Sequence, residues 1–201
     1  MNEARTSTQA RGDRSRARLL DAAVQAFSAK GFHGTSTRDI ATAAGLSPAA
    51  VYVHHRSKEE LLHAIAARGH EVILEAVTDA VRSGSTPAER VAGAVRTYVL
   101  FHARSHTTAR VINYELAALT DEHLREIAAL RRAIDTVMRE VVEEGVRSGD
   151  FDTPDSAKAA TALLSLGIDL ARWYRDDGSW TPESLADFYA DLALRVVGAR
   201  P

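Results

Sequence analysis

Residues 36–55, STRDIATAAGLSPAAVYVHH, decide how this chain is read. Ile40 and Ala41 form the inward side of one short helix, and Ala44 is small where two helices must approach closely. Gly45 then permits the positive φ of a tight turn. Leu46 fills the space between the helices, and Pro48 opens a second helix that Val51 packs back onto the first. Two short helices joined by a three-to-four-residue turn containing glycine make a helix-turn-helix unit. Ser47, Pro48, Ala49, Tyr52 and Val53 remain on the outer face, the one able to enter a DNA major groove. The same pattern also suits an αα-corner inside a helical bundle.

The surroundings of the unit favour the outward reading. Thr35, Ser36 and Thr37 place three hydroxyls at the start of its first helix, and hydroxyls and helix N-termini are common phosphate contacts. The chain carries a net charge of −2, but unevenly. Residues 1–60 hold nine Lys/Arg against six Asp/Glu, a net of +3, whereas the remainder holds 16 against 21, a net of −5. A basic first third on an acidic body points to an anionic partner.

Outward from this unit, helix signals repeat and no strand pattern survives. Residues 1–12 are polar and expected to be disordered. A helix is predicted from about Arg14 to Lys30, with Leu19, Leu20, Ala23, Val24 and Phe27 on one face and Gly31 as its stop. Ser57-Lys58-Glu59-Glu60 and Thr86-Pro87-Ala88-Glu89 are capping boxes that start two further helices. Others are expected over about 109–119, from Thr120 to Gly149, from Thr153-Pro154 to about Arg175, and from Thr181-Pro182. The total is nine helices, with domain spans of 13–74 and 75–201.

The stretch GFHGTSTRDIATAAGLSPAAVYVHHRSKEELL, residues 31–62, resembles the DNA-binding domain of the tetracycline-repressor (TetR/AcrR) type of bacterial transcriptional regulators. Gly31, Thr35, the run Arg38-Asp39-Ile40-Ala41, Ala44-Gly45-Leu46-Ser47, Tyr52 and Ser57-Lys58-Glu59 before Leu61 carry the resemblance, which extends over about residues 14–74. It implies an all-α, nine-helix fold whose C-terminal part binds a ligand and dimerises. It implies that Thr35, Ser36 and Thr37 meet phosphates, that Arg38 reaches a base edge or phosphate, and that Ser47, Pro48, Ala49 and Val53 face bases. Tyr52, His54 and Lys58 would hold the DNA backbone. Two positions depart from the family pattern: His55 stands where phenylalanine is usual, either buried or turned to phosphate, and Ala49-Ala50 replaces a common glycine. Arg5, Arg11, Arg14 and Arg16 form an arm that either follows a minor groove or is a solvated tail.

In the second half, candidate effector-binding residues are polar or aromatic side chains set in apolar periodicity: Tyr98, His102, Asn113, Tyr114, Glu115, Met138, Arg172 and Trp173. A pocket needs an apolar lining with a few convergent polar groups; each of these residues also suits a satisfied core or interface position. Arg172-Trp173-Tyr174 loosely resembles a segment of the family branch that senses acyl-CoA thioesters. Leu163, Leu164, Gly167 and Leu170, with Leu185, Phe188 and Leu192, supply a wide apolar stripe for a homodimer, which the resemblance implies is a four-helix bundle between two-fold mates. Such a dimer would read a pseudo-palindromic double-stranded operator.

Other function classes find little support. The chain has no cysteine, which excludes disulfides, thiol nucleophiles and thiol sensing. There is no glycine-rich phosphate loop, no HExxH and no G-x-S-x-G, so no catalytic residues and no cofactor are expected. His102 and His106, four apart, leave a metal-responsive regulator as an alternative, and a ligand-dependent activator is another. No run of about 18 apolar residues exists, so no membrane span is expected. The N-terminus lacks a secretory pattern, and a cytoplasmic location is expected.

Overall fold

The chain folds into helices α1 (Asn2–Lys30), α2 (Thr37–Ala43), α3 (Pro48–His54), α4 (Lys58–Ser83), α5 (Pro87–Arg104), α6 (His106–Tyr114), α7 (Asp121–Ser148), α8 (Ser156–Trp173) and α9 (Pro182–Val196), with a 3-10 turn over Leu116–Ala118. This computed structural model describes residues 2–200, and side chains for 14–200 apart from 50, 53 and 54. No strand occurs among the described residues, and no helix is long and apolar enough to cross a membrane.

Local chemistry sets most helix starts. The Ser36 hydroxyl accepts from Asp39 N at 3.1 Å while Asp39 Oδ2 accepts from Ser36 N at 3.0 Å, a closed capping box that fixes Ser36 as the cap of α2. Thr86 and Glu89 form the same box at α5. At α4, Ser57 caps Glu60 N as expected, but the Glu60 carboxylate accepts from Arg56 N at 2.7 Å rather than reaching Ser57. Asp155, not Thr153, caps α8; the helix therefore begins two residues after Pro154.

The disordered arm expected over residues 1–12 falls on residues whose side chains lie outside those described. One other boundary differs from the sequence expectation. The helix expected over 109–119 starts at His106 and gives way to the 3-10 turn after Tyr114.

Two apolar cores result. The first gathers Leu19, Phe27, Ile40, Val51, Leu61 and Ile65 from α1–α4; the second centres on Val99, Met138, Leu163 and Leu170 of α5, α7 and α8. Helix α4 belongs to both, with Ala66 in the first and Ile73 in the second. The first core also takes Val111 and Ile112 from α6 and Ile127 from α7, so the later chain closes the base of the first bundle. Gly69 lies on α4 between the two; a Cβ there would stand 2.7 Å from Ile112 Cδ1, so glycine sets how closely α4 and α6 pack.

Candidate functional site

The helix-turn-helix forms as its residues dictate. Ile40, Ala41 and Val51 are wholly buried and Ala44 nearly so. Gly45 takes φ +64, and Gly45 N and Leu46 N donate to the Thr42 and Ala41 carbonyls to end α2. Arg18 of α1 donates to the Ala44 carbonyl, tying α1 to the turn. Ser47, Pro48, Ala49 and Tyr52 are exposed, and so are Ser36 and Arg38. Thr37 Oγ1 lies 3.3 Å from the Tyr52 hydroxyl, which links the first turn of α2 to α3. The side chains of Val53 and His54 lie outside the described residues.

Two residues expected at phosphates are committed elsewhere. Thr35 is 2% exposed, and its hydroxyl lies 2.8 Å from the Gly31 carbonyl and 3.1 Å from that of Ala26. Burial of a hydroxyl requires such acceptors, so Thr35 joins α1 to the loop before α2. Lys58 donates to the carbonyls of Phe32 (2.8 Å) and Thr35 (2.9 Å) and stands over the Phe32 ring at 4.3 Å. It braces the same loop from α4. His55 is buried, 5% exposed, which settles its two alternatives in favour of the interior.

In the second core a cavity of about 270 Å3 opens between α4, α5, α6, α7 and α8. Tyr98, His102 and Asn113, all expected there, line it. So do His70, Phe101, Arg131, Arg132 and Asp135, which sequence reasoning missed. Arg131 Nη1 donates to Asn113 Oδ1 at 2.9 Å, and Asn113 Nδ2 donates to the Ala109 carbonyl at 2.8 Å and lies 3.5 Å from His102 Nε2. His70 and His102 are each bonded through Nδ1, at 2.8 Å, to the carbonyl four residues earlier, Ala66 and Tyr98. Burial holds the His70 imidazole below its ordinary pKa and that of His102 at about 4, so both are neutral near pH 7.

The remaining candidates separate. Met138 is fully buried in the second core and does not line the cavity. Tyr114, Glu115 and Arg172 border a different recess of about 200 Å3 where α1, α6 and α8 meet. There Glu115 Oε2 accepts from Phe32 N at 3.3 Å, and Arg172 is exposed and paired with Asp169 at 2.9 Å. Trp173 stands on the outer surface beside Trp180. His102 and His106 have different neighbours. His106 Nδ1 lies 3.2 Å from the Ala103 carbonyl, and its ring packs on Tyr174. Among the described residues no group of three or more His, Asp or Glu side chains is arranged to hold a metal ion.

The stripe expected to face a second protomer mostly faces inward. Leu163, Leu164, Leu170 and Leu185 are buried in the protomer's own core. A Cβ on Gly167 would lie 2.6 Å from Tyr98 Cδ1, so that glycine admits the Tyr98 ring. Leu192 is half-buried. Phe188 alone of these is open, 59% exposed. It borders one apolar recess with Trp173 of α8 and Trp180 of the α8–α9 loop, and Leu166 of α8 and Val196 of α9 are exposed as well.

A polar seam beside the first core ties α4 to α7 and α1 to α6. Glu59 Oε1 of α4 accepts from Thr120 N at 2.9 Å and contacts His123 Nδ1 of α7 at 2.8 Å. His63 Nε2 lies 2.8 Å from Glu126 Oε2, and the two imidazoles stack. Arg110 of α6 donates to the Ser28 carbonyl of α1.

Comparison with known proteins agrees with this layout. Residues 19–65 match the family model for bacterial regulatory proteins of the tetR family, and residues 84–197 match the tetracyclin repressor-like C-terminal domain. A crystal structure of a tetR-family bacterial regulatory protein from Rhodococcus RHA1 is 41% identical, with a TM-score of 0.88 over 93% of this chain and 98% of that one. The HTH-type transcriptional repressor KstR2 of Rhodococcus jostii is 28% identical over 89% of both chains. AibR, solved with isovaleryl coenzyme A and operator DNA, is 27% identical with a TM-score of 0.82, over 93% of this chain and all of that one.

Proposed function

This chain belongs to the tetR family of DNA-binding transcriptional regulators, and from that premise we propose that it is a repressor released from its operator by a small hydrophobic effector bound in the cavity of the second core. One observation carries the proposal: α4 walls the cavity through His70 and Ile73 while its capped N-terminus, through Lys58, braces the loop before the recognition unit. An effector that changes the cavity's shape therefore acts on the element that positions α2 and α3.

In this reading Ser36, Thr37, Arg38, Ser47, Pro48, Ala49 and Tyr52 form the operator face. Pro48 and Ala49 favour apolar contacts such as a thymine methyl, which leaves Arg38 as the hydrogen-bonding reader. The exposed face of α8 and α9 pairs two protomers so that two α3 helices meet successive half-sites about 34 Å apart. The likeness to AibR supports an acyl thioester as one form of effector, with its acyl end in the cavity. A volume of about 270 Å3 is at the lower edge of ligand pockets, roughly 300–1,000 Å3, and leaves no room for a whole coenzyme.

The test is a mobility shift on the DNA upstream of the protein's own gene, at two salt concentrations, with and without candidate effectors. Salt-sensitive binding that an effector reverses is the expected result. Operator binding that no cavity ligand alters would overturn the release mechanism.

A further inference from the structure

The charges lining the cavity do not balance. Arg131 is a half-buried positive charge, Arg132 is exposed to solvent at the rim, Asp135 is negative, and the two histidines are neutral. Among the described residues neither arginine has a carboxylate within ion-pair distance. The Asp135 carboxylate, on the same helix, is approached instead by Thr161 Oγ1 at 3.4 Å. Arg131 is half-buried, and one of its nitrogens is fixed by Asn113 Oδ1. A half-buried guanidinium held in place in a largely apolar cavity, with donors left over, is set to take an anion. Its planar fork matches a carboxylate in geometry as well as charge.

The rest of the lining sets the body of the ligand. Ile73, Phe101, Ile112, Ile134 and Ile168 give an apolar wall. His70 and His102, each with Nδ1 on a backbone carbonyl, present no charge that would compete with Arg131. We propose that the cavity binds a compact apolar monocarboxylate, with the carboxylate on Arg131 and the hydrocarbon against the isoleucine wall. This rests on the cavity being the effector site. The carboxylate is that of a free acid, and a plain acyl thioester, which has none, is the competing occupant in the test.

Isothermal titration of the full chain without DNA provides the test, using octanoate and cyclohexylacetate, the matching amides, and octanoyl-CoA. The expected result is that at least one carboxylate binds and its amide binds at least tenfold more weakly. Arg131→Met should lose the carboxylate by at least tenfold with amide binding unchanged. Octanoyl-CoA, which has no terminal carboxylate, should bind at least tenfold more weakly than octanoate. If octanoyl-CoA binds more tightly than both acids, or if each amide matches its acid, the proposal is overturned. It is also overturned if neither acid binds. Should Arg131→Met fail to fold, Ser165→Phe, which narrows the cavity lining without touching Arg131, must abolish the acid binding of the wild type. Retained binding would place the acid elsewhere and sink the proposal. Operator release is measured separately: an acid that binds through Arg131 and releases no operator would overturn the effector reading and leave the carboxylate site standing.

Discussion

The rings of His63 and His123 stack across the seam between α4 and α7, their centroids 3.8 Å apart and their planes within 3° of parallel. The hydrogen bond that His123 donates to the Glu59 carboxylate raises the pKa of His123, against a smaller opposing effect of burial. Burial raises the pKa of Glu59, but the Thr120 N–H and His123 outweigh it and the net shift is downward. A raised imidazole pKa stabilises the fold below the unfolded value and loses that contribution as pH rises through the folded value. A lowered carboxylate pKa does the reverse, its contribution being lost as pH falls through the folded value. The seam should therefore be strongest between the two and weaken above the raised His123 pKa. The difference in melting temperature between wild type and His123→Ala should shrink as pH rises from about 6 to 8.5. A difference independent of pH would assign the His123 contribution to packing.

Gly167 sits against Tyr98, so Gly167→Ala pushes a methyl group into the ring. Overpacking of this kind costs about 1–3 kcal/mol. Urea unfolding should show that loss, and because Tyr98 lines the cavity, ligand affinity should fall with it.

Arg38 is exposed beside the recognition unit. If it forms a bidentate contact with guanine, Arg38→Ala should cost about 1–3 kcal/mol of operator affinity and relax one base position. Binding to a set of single-base operator variants checks this; uniform weakening would identify a phosphate contact instead.

Lys58→Met and Thr35→Val remove internal hydrogen bonds. Each should destabilise the fold, by about 1 kcal/mol for the neutral hydroxyl and about 1.5–3 kcal/mol for the ammonium. The salt dependence of operator binding should stay close to that of the wild type, since neither side chain is free to neutralise a phosphate. A salt slope reduced by about one for Lys58→Met would return that residue to the DNA face.

Phe188→Asp places a charge in the middle of the uncovered apolar face of α8 and α9. Sedimentation velocity should show a dimer for the wild type and a monomer for the variant. Operator affinity should fall sharply, because each protomer alone presents one recognition helix.

The elements that depend on near neighbours in the chain were legible in the sequence. Gly45, Ser57 and the Thr86–Glu89 box determine their turns and caps through contacts within four residues, and the structure places them accordingly. The cavity was legible in part. Tyr98, His102 and Asn113 stand out as polar or aromatic positions in apolar stripes. His70 and Arg131 obey the same spacing, four after Ala66 and three before Ile73, and four after Ile127 and three before Ile134, so a periodic signal for both was present. Most of the stripe expected to pair two protomers serves the protomer's own core, because the most apolar face of α8 packs inward. The large apolar residues that α8 leaves outside, Leu166 and Trp173, are seven residues apart. Thr35 and Lys58 were legible by type but not by role, since their acceptors are carbonyls of α1 and the loop before α2, and Lys58 lies more than 20 residues along the chain from its own.

Helix α4 runs for 26 residues without a break, a rod about 39 Å long at 1.5 Å per residue. Such a rod is a lever: the cavity residues His70 and Ile73 lie near its middle, and Lys58, against the loop before the recognition unit, lies at its N-terminal end. A tilt of about 5° about the far end moves the Lys58 end by roughly 3 Å, a rise of two helical residues. Two such levers in a symmetric pair move in opposite senses, so the separation of the reading heads changes by up to twice the displacement of each. In the proposed release mechanism, a ligand no larger than the cavity would thus bring two DNA-reading helices out of step with a half-site spacing that the double helix itself fixes.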